Sequence, residues 1–294
     1  MRIVLLLNRT AGGGRAVRQA HRATQILREA GTTVSLVETR SVEHLAAEAE
    51  AAAANPPDAL GVVGGDGTIH TVVNGLLRSP VEKRPPMGVV PCGRGNDFAR
   101  TIGITDLDTA CAALLGGARR RVDLGRTEAG VFLGVAGAGF DSQVARRAQG
   151  GTVLLSGAAA YVYSVLRTLA AFEPVNAKVT YQDGRYEGPI TFAAVGNTGV
   201  YGGGMRIAPL ASIEDGLLDL CLVKSVSRTT LLRMLPRVFS GGHLDHPQVF
   251  YTKTQWVGIE STEPMEVFAD GEFMQSVPVR IEVLPAALEV IVAG

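Results

Sequence analysis

One pattern restricts the fold of this chain more than any other. Four short apolar runs, Ile3–Leu7, Thr33–Val37, Ala59–Val63 and Met87–Val90, are separated by segments with helical spacing. A strand followed by a helix, repeated, is the signature of βα units stacked on a parallel sheet. Arg15–Ala30 places Val17, Ala20, Ala23 and Leu27 on one helical face and stops at Gly31, a C-terminal capping glycine. Ser41 caps a second, alanine-rich helix that runs to Ala54, where Asn55-Pro56-Pro57 ends it, and a third helix is expected from Thr68.

The texture changes after Arg119-Arg120-Arg121-Val122-Asp123-Leu124. Glycine-punctuated runs follow, at Val131–Ala136, Ala177–Tyr181, Ile190–Val195, Leu217–Val223 and Val279–Val283, with helical exceptions at Ala158–Phe172 and Thr229–Ser240. We therefore place a boundary near Gly125. An α/β domain over residues 1–125 precedes a mainly antiparallel β domain over residues 126–294, and the last strand has the option of returning to the first domain.

Composition removes several functions. The chain has 294 residues, 46% hydrophobic and only 19% charged, against about a quarter charged in ordinary soluble domains, which excludes disorder. Its 28 Lys+Arg balance 28 Asp+Glu, so it lacks the basic footprint of nucleic-acid binding, and no nucleic-acid partner is expected. Cys92, Cys111 and Cys221 are far apart and fit neither a disulfide framework nor a zinc knuckle, which suits a reducing cytoplasm. His21, His44, His243 and His246 have no metal-binding spacing. The apolar start Ile3–Leu7 is too short for a signal peptide. The uncharged stretch Ala148–Leu166 contains Gln149, Gly150, Gly151, Ser156 and Gly157, and reads as a buried or interfacial helix rather than a membrane span.

The chemistry-bearing residues fall in the turns after the first-domain strands. Gly64-Gly65-Asp66-Gly67-Thr68 lies between the apolar strand and the helical Ile69–Leu77, the context of a phosphate-binding loop. Glycines admit an anion close to backbone N–H groups, the helix N-terminus adds partial positive charge, and Asp66 can hold a cation that bridges phosphates. The alternative is a tight turn in which Asp66 and Thr68 only cap the helix. The first turn, Asn8-Arg9-Thr10-Ala11-Gly12-Gly13-Gly14-Arg15, and the turn Gly93-Arg94-Gly95-Asn96-Asp97 have the same strand-to-helix setting, and Thr39 ends the second strand. The first turn fits neither a Walker loop nor a clean dinucleotide fingerprint. Together the turns converge on the carboxyl edge of a parallel sheet, where open α/β folds bind ligands.

Gly64–Thr68 with Gly93-x-Gly95-Asn96-Asp97-Phe98-Ala99 resembles the diacylglycerol kinase catalytic-domain family of bacterial lipid kinases. The second half supplies further landmarks in the family's order. They are Gly137-Ala138-Gly139-Phe140-Asp141, Asn197 with Tyr201–Met205, Pro209-x-Ala211-x-x-x-Asp215-Gly216-x-Leu218-Asp219, and Asp270-Gly271-Glu272. The resemblance implies an N-terminal Rossmann-like nucleotide domain, a C-terminal two-layer β domain and a nucleotide cleft between them.

By that resemblance Asn8, the turn Gly12, Gly13 and Gly14, and Thr39 line the ATP site. So do Gly64, Gly65, Asp66, Gly67, Thr68, Ile69 and His70, and from the later turn Gly93, Arg94 and Asn96. Asp66 reaches the catalytic Mg²⁺ through water, with Asp97 and Asp123 in the same acidic network. Glu272 is the general base for the lipid hydroxyl. A second, structural Mg²⁺ is held by Asp215 with the backbone carbonyls of Ser212 and Leu217. From the residues alone, the Glu272 and Asp215 segments are each an Asp-Gly turn.

The chain departs from the family pattern at Arg94, where a small hydroxyl residue is usual, and at His70, where an asparagine is expected. The resemblance makes ATP the donor and diacylglycerol the default acceptor, drawn from the inner face of a membrane by a cytoplasmic, peripheral enzyme. Ala148–Leu166 is a candidate docking surface or acyl-chain wall, with a core helix as the alternative, and a homodimer is compatible. The rival readings are an NAD kinase-type phosphotransferase, which shares the Gly-Gly-Asp-Gly-Thr loop, and a nucleotide-binding regulatory protein without transfer activity.

Overall fold

The computed structural model describes residues 1–93, 95–140, 168 and 173–293. The chain divides into two compact units, Met1–Val122 with Ala286–Gly294, and Asp123–Pro285. The division falls a few residues before Gly125.

In the first unit, β1 (Arg2–Asn8), β2 (Thr33–Thr39), β3 (Ala59–Gly64) and β4 (Met87–Pro91) form a parallel sheet. β1 pairs with β2 on one side and β3 on the other, and β3 pairs with β4. The end of the last strand, β15 (Val279–Val292), adds to the far edge, with Val290 parallel to Met87. β3 is buried along its whole length, as expected of a central parallel strand covered on both faces, and this is why its sequence is continuously apolar.

The intervening helices are α1 (Arg15–Glu29), α2 (Val42–Ala54), α3 (Asp66–Leu76), α4 (Asp97–Thr101) and α5 (Leu107–Gly116). The buried stripe of α1 is Ala16, Ala20, Ala23 and Leu27, with Val17 only half-buried, and Gly31 at φ +83° ends the helix as anticipated. Ser41 accepts the backbone N–H of His44 at 3.1 Å and so caps α2. α3 begins at Asp66 rather than at Thr68. Gly65 in extended conformation is its cap, and Thr68 lies buried inside the first turn.

The second unit is antiparallel. Its elements are β5 (Ala118–Thr127), which enters from the first unit, β6 (Gly130–Phe132), β7 (Val135–Gly139), β8 (Val175–Tyr181), β9 (Gly184–Gly196), β10 (Leu218–Lys224), α6 (Arg228–Val238), β11 (Val249–Thr254), β12 (Trp256–Ser261), β13 (Glu266–Ala269) and β14 (Glu272–Ser276). The long strand β9 is the hub, pairing antiparallel with β7, β8 and β10. Side chains on β9 and β10 alternate between two cores. Ala193, Val195, Leu220 and Leu222 join one cluster, while Phe192, Ala194, Cys221 and Val223 join the other, which Met234 of α6 also enters. This two-sided burial follows from the period of two along a strand, and it accounts for the unbroken apolar runs.

The run Val131–Ala136 is divided in the structure. Gly134 and the chain around it leave the ladder, so β6 and β7 are separate strands. The expected helix Ala158–Phe172, apart from Thr168, and the Ala148–Leu166 stretch lie outside the described residues, as do Arg94 and Asp141. Among the described residues no helix is long and apolar enough to cross a membrane.

Candidate functional site

The strand ends of the first unit bring three turns together. Asn8 closes β1; its Oδ1 accepts the backbone N–H of Thr10 at 3.1 Å and the Thr10 hydroxyl at 2.8 Å, and its Nδ2 donates to Thr68 Oγ1 at 3.1 Å. The first turn is therefore tied to the start of α3. Within it Gly12, Gly13 and Gly14 all have positive φ, and a Cβ at Gly12 would stand 2.1 Å from the carbonyl oxygen of Cys92. No side chain fits there. The Arg15 guanidinium folds back and donates to Gly12 O at 3.1 Å.

The other two turns touch through their glycines. A Cβ at Gly65 would lie 2.8 Å from the Cα of Gly93, and the Cys92 N–H donates to Gly64 O at 2.8 Å. Asn96, in left-handed conformation at φ 55°, clasps its own turn: Oδ1 accepts the N–H of Gly93 at 2.8 Å and Nδ2 donates to Gly93 O at 3.1 Å. Thr39 is buried at the end of β2 with its hydroxyl on Leu7 O at 2.9 Å. Ile69 is 1% exposed and belongs to the core, while Gly67 and His70 are half-buried on the first turns of α3. Burial pushes the Cys92 thiol up to about 11, so it is no nucleophile at neutral pH.

Asp66 and Asp97 flank Gly95. A Cβ on Gly95 would sit 2.8 Å from Asp66 Oδ2 and 3.6 Å from Asp97 Oδ2. The other oxygens have structural duties: Asp66 Oδ1 accepts the N–H of Phe98 at 3.2 Å, and Asp97 Oδ1 accepts from Arg100 at 2.5 Å. Two carboxylates that converge on a glycine, one of them too close to admit a Cβ there, suit Mg²⁺, which takes one or two carboxylate oxygens and keeps several waters. Among the described residues no group of three or more His, Cys, Asp and Glu forms a denser metal cluster.

The second unit holds the other sequence-selected residues, and a hydrogen-bonded knot joins most of them. Asp123 is buried; its Oδ2 accepts the N–H of Gly216 at 2.7 Å, and its own N–H donates to Ile213 O at 2.7 Å. Asn197 Nδ2 donates to Asp123 O at 2.9 Å and to Leu133 O at 2.7 Å. Asp270 Oδ2 accepts the N–H of Leu133 at 2.9 Å and Oδ1 that of Gly134 at 2.8 Å. Asp270 and Gly271 both have positive φ and form the two-residue turn between β13 and β14, so Glu272, exposed at the start of β14, is aimed by a turn anchored at Gly134.

The Ser212–Leu217 loop differs from its expected role. Asp215 Oδ1 accepts the N–H of Leu217 at 3.1 Å, and Asp215 Oδ2 is ion-paired with Lys253 Nζ at 2.5 Å. The same ammonium lies 3.5 Å from Oδ2 of the fully buried Asp219, whose Oδ1 accepts the Tyr251 hydroxyl at 2.7 Å. Burial holds the Asp219 carboxyl above its ordinary range. Lys253 thus supplies the positive charge that the resemblance gives to a structural Mg²⁺. One oxygen of Asp215 is thereby committed to Lys253 and the other to the Leu217 N–H. Sequence reasoning missed Lys253, because a lysine on a strand thirty-eight positions away carries no local signal.

A parallel sheet with glycine turns and acidic residues at its carboxyl edge is an α/β nucleotide-type domain, followed in the chain by an antiparallel β domain. Residues 2–127 match the diacylglycerol kinase catalytic domain, and residues 134–292 match the YegS C-terminal NAD kinase beta sandwich-like domain. The chain is 35% identical over 302 residues to a diacylglycerol kinase of Mycobacterium tuberculosis, covering 99% of this chain and 94% of that one. It is 30% identical over 269 residues to a diacylglycerol kinase of Bacillus subtilis, at 90% and 88% coverage. A crystal structure of a diacylglycerol kinase from Bacillus anthracis str. Sterne has the same fold, with a TM-score of 0.75 at 23% identity over 99% of this chain and 96% of that one. The chain belongs to the diacylglycerol kinase family and is a lipid kinase.

Proposed function

We propose that this protein transfers the γ-phosphoryl group of ATP to the free hydroxyl of diacylglycerol, giving phosphatidic acid and ADP at the cytoplasmic face of a membrane. The observation that carries the reading is the convergence of the Gly12–Gly14, Gly64–Thr68 and Gly93–Asn96 turns at the strand ends, beside Asp66 and Asp97. Backbone N–H groups of such turns suit a polyphosphate, and the start of α3 adds partial positive charge. Asp66 and Asp97 would hold Mg²⁺, which would supply neutralisation of the negative charge that develops on the transferring phosphoryl group.

The residues' own work is positioning and one proton transfer. Asp66 and Asp97 face the phosphate region, and Asp123 holds the Asp215–Gly216 loop. Glu272 accepts the proton of the acceptor hydroxyl as its oxygen bonds to the γ-phosphorus and the bond from that phosphorus to the β–γ bridging oxygen breaks. An exposed carboxylate suffices as this base, because phosphoryl transfer depends chiefly on alignment and charge stabilisation.

The test is transfer of labelled γ-phosphate, with Mg²⁺, to diacylglycerol, phosphatidylglycerol, ceramide, sphingosine and NAD in mixed micelles. Label in diacylglycerol alone is the expected result. Label in NAD makes the protein an NAD kinase-type enzyme, and ATP binding without label in any acceptor makes it a regulatory nucleotide binder.

A further inference from the structure

α6 has two different faces. Leu231, Met234, Leu235 and Val238 pack inward on the core cluster built from Phe192, Cys221 and Val223. The exposed side is mixed rather than wholly polar: Thr229, Arg233 and Arg237 stand opposite the buried stripe, and two large apolar side chains flank it. Leu232 is 46% exposed and Phe239, which caps the helix, is 40% exposed. Seven residues apart, they stand on one side of the helix, two turns from each other.

Charge surrounds these two side chains. From Lys224 to Leu244 the sequence contains Lys224, Arg228, Arg233 and Arg237 and no acidic residue, in a chain whose overall charges cancel. Arg228, Arg233 and Arg237 are exposed, and among the described residues Arg233 and Arg237 have no ion-pair partner. The neighbouring loop extends the same composition. Arg206 donates its N–H to Val238 O at 3.0 Å, Pro209 lies against Gly241, and Leu210 is 61% exposed.

Exposed leucine and phenylalanine flanked by the exposed Arg233 and Arg237 are what an interfacial helix presents to an anionic bilayer: apolar side chains enter the acyl boundary while guanidinium groups meet lipid phosphates. We propose that the outer face of α6, with Leu210 beside it, is the surface on which this protein seats on an anionic membrane. The inference rests on the lipid-acceptor reading for its purpose, but its test does not depend on that reading.

The test is flotation with vesicles of phosphatidylcholine alone and of phosphatidylcholine mixed with phosphatidylglycerol. Wild type is expected to float with the anionic vesicles and weakly with the neutral ones. L232S/F239S should lose at least tenfold in partitioning, and R233Q/R237Q should lose the preference for anionic vesicles. Both should retain the wild-type unfolding temperature, since all four side chains are exposed. In parallel, a monomeric short-chain diacylglycerol is offered as acceptor, and both variants should phosphorylate it as wild type does. If wild type floats with the stated pattern yet leaves that acceptor unlabelled, docking stands and the acceptor assignment fails. Wild type that stays with neither vesicle, or L232S/F239S that floats undiminished, overturns the proposal. A wild-type dimer that L232S/F239S dissociates with flotation unchanged also overturns it, and assigns the face to a second copy of this chain.

Discussion

The Asp123 carboxylate accepts the backbone N–H of Gly216 at 2.7 Å and so binds the start of the second unit to a loop far along the chain. Removing it leaves a half-buried N–H without its partner, at a cost of about 1–3 kcal/mol. Asp123→Ala should therefore lower stability by that amount in denaturant titration. Asp123→Asn keeps an acceptor oxygen and should stay within about 1 kcal/mol of wild type. If Asp123 also serves the reaction electrostatically, Asp123→Asn will lose turnover while keeping its stability, and equal turnover confines it to a structural role.

Glu272 is exposed at the start of β14, and its removal should disturb little else. Glu272→Gln is expected to bind ATP as wild type does and to lose about 10²–10⁴-fold in phosphoryl transfer. Isothermal titration and a labelled-phosphate assay read the two effects separately. Unchanged turnover removes Glu272 from the role of base.

Two neighbouring glycines give a steric contrast. Gly12 and Gly13 both have φ near +60°, but a Cβ at Gly12 would lie 2.1 Å from Cys92 O, whereas nothing lies within 4 Å at Gly13. Gly13→Ala should cost about 1 kcal/mol in backbone strain. Gly12→Ala must also push two turns apart, so it should be the more destabilising of the pair and should weaken nucleotide binding. Thermal unfolding with and without ATP measures both.

His243 is fully buried, with Nε2 3.1 Å from Ile207 O and Nδ1 without a hydrogen-bond partner. Burial lowers its pKa below the ordinary 6.5. The folded state then binds fewer protons than the unfolded state once the pH drops below that value, so this residue's contribution to stability falls as the solution is acidified. Chemical denaturation from neutral pH to about pH 5 should show a decline that His243→Gln reduces. A decline of equal slope in the variant assigns the effect to other groups.

Lys253 is 3.5 Å from the buried carboxylate of Asp219 and is paired with Asp215. Lys253→Met leaves Asp219 buried without its cation. Breaking a buried pair costs about 3–5 kcal/mol, and since the Lys253 side chain is 35% exposed, solvent should reduce this to about 1–3 kcal/mol. Because the ammonium already neutralises this loop, a chelator should leave the wild-type unfolding temperature unchanged. A marked drop on chelation that Asp215→Asn abolishes would show that a divalent cation is held there.

The parallel sheet of the first unit was legible because short-range rules write it directly. Ser41 caps α2, Gly31 ends α1, and the apolar run of β3 is buried throughout, since caps, left-handed glycines and double-sided burial all act within a few residues. The glycine turns were readable as strand-to-helix turns for the same reason. The second unit was less legible. β11 and β12 went unanticipated, because their pairing partners β10, β8 and β15 are distant in sequence, whereas the β13–β14 hairpin was visible only as its Asp270-Gly271 turn.

The sequence by itself determined which residues are chemically capable: Asp66, Asp97, Asp215 and Glu272 are visible as carboxylates beside glycines, and Asp123 as the carboxylate that follows an arginine run. Only the tertiary structure decided what each one faces. It sets Asp66 and Asp97 around Gly95, gives Asp123 to Gly216, and gives Asp215 to Lys253. It also turns Leu232 and Phe239 outward while their neighbours Leu231 and Met234 enter the core. The physical reason is the range of the forces involved. Helix caps and strand alternation depend on neighbours in the chain, whereas a carboxylate's partner is whichever donor the packed fold brings within about 3 Å.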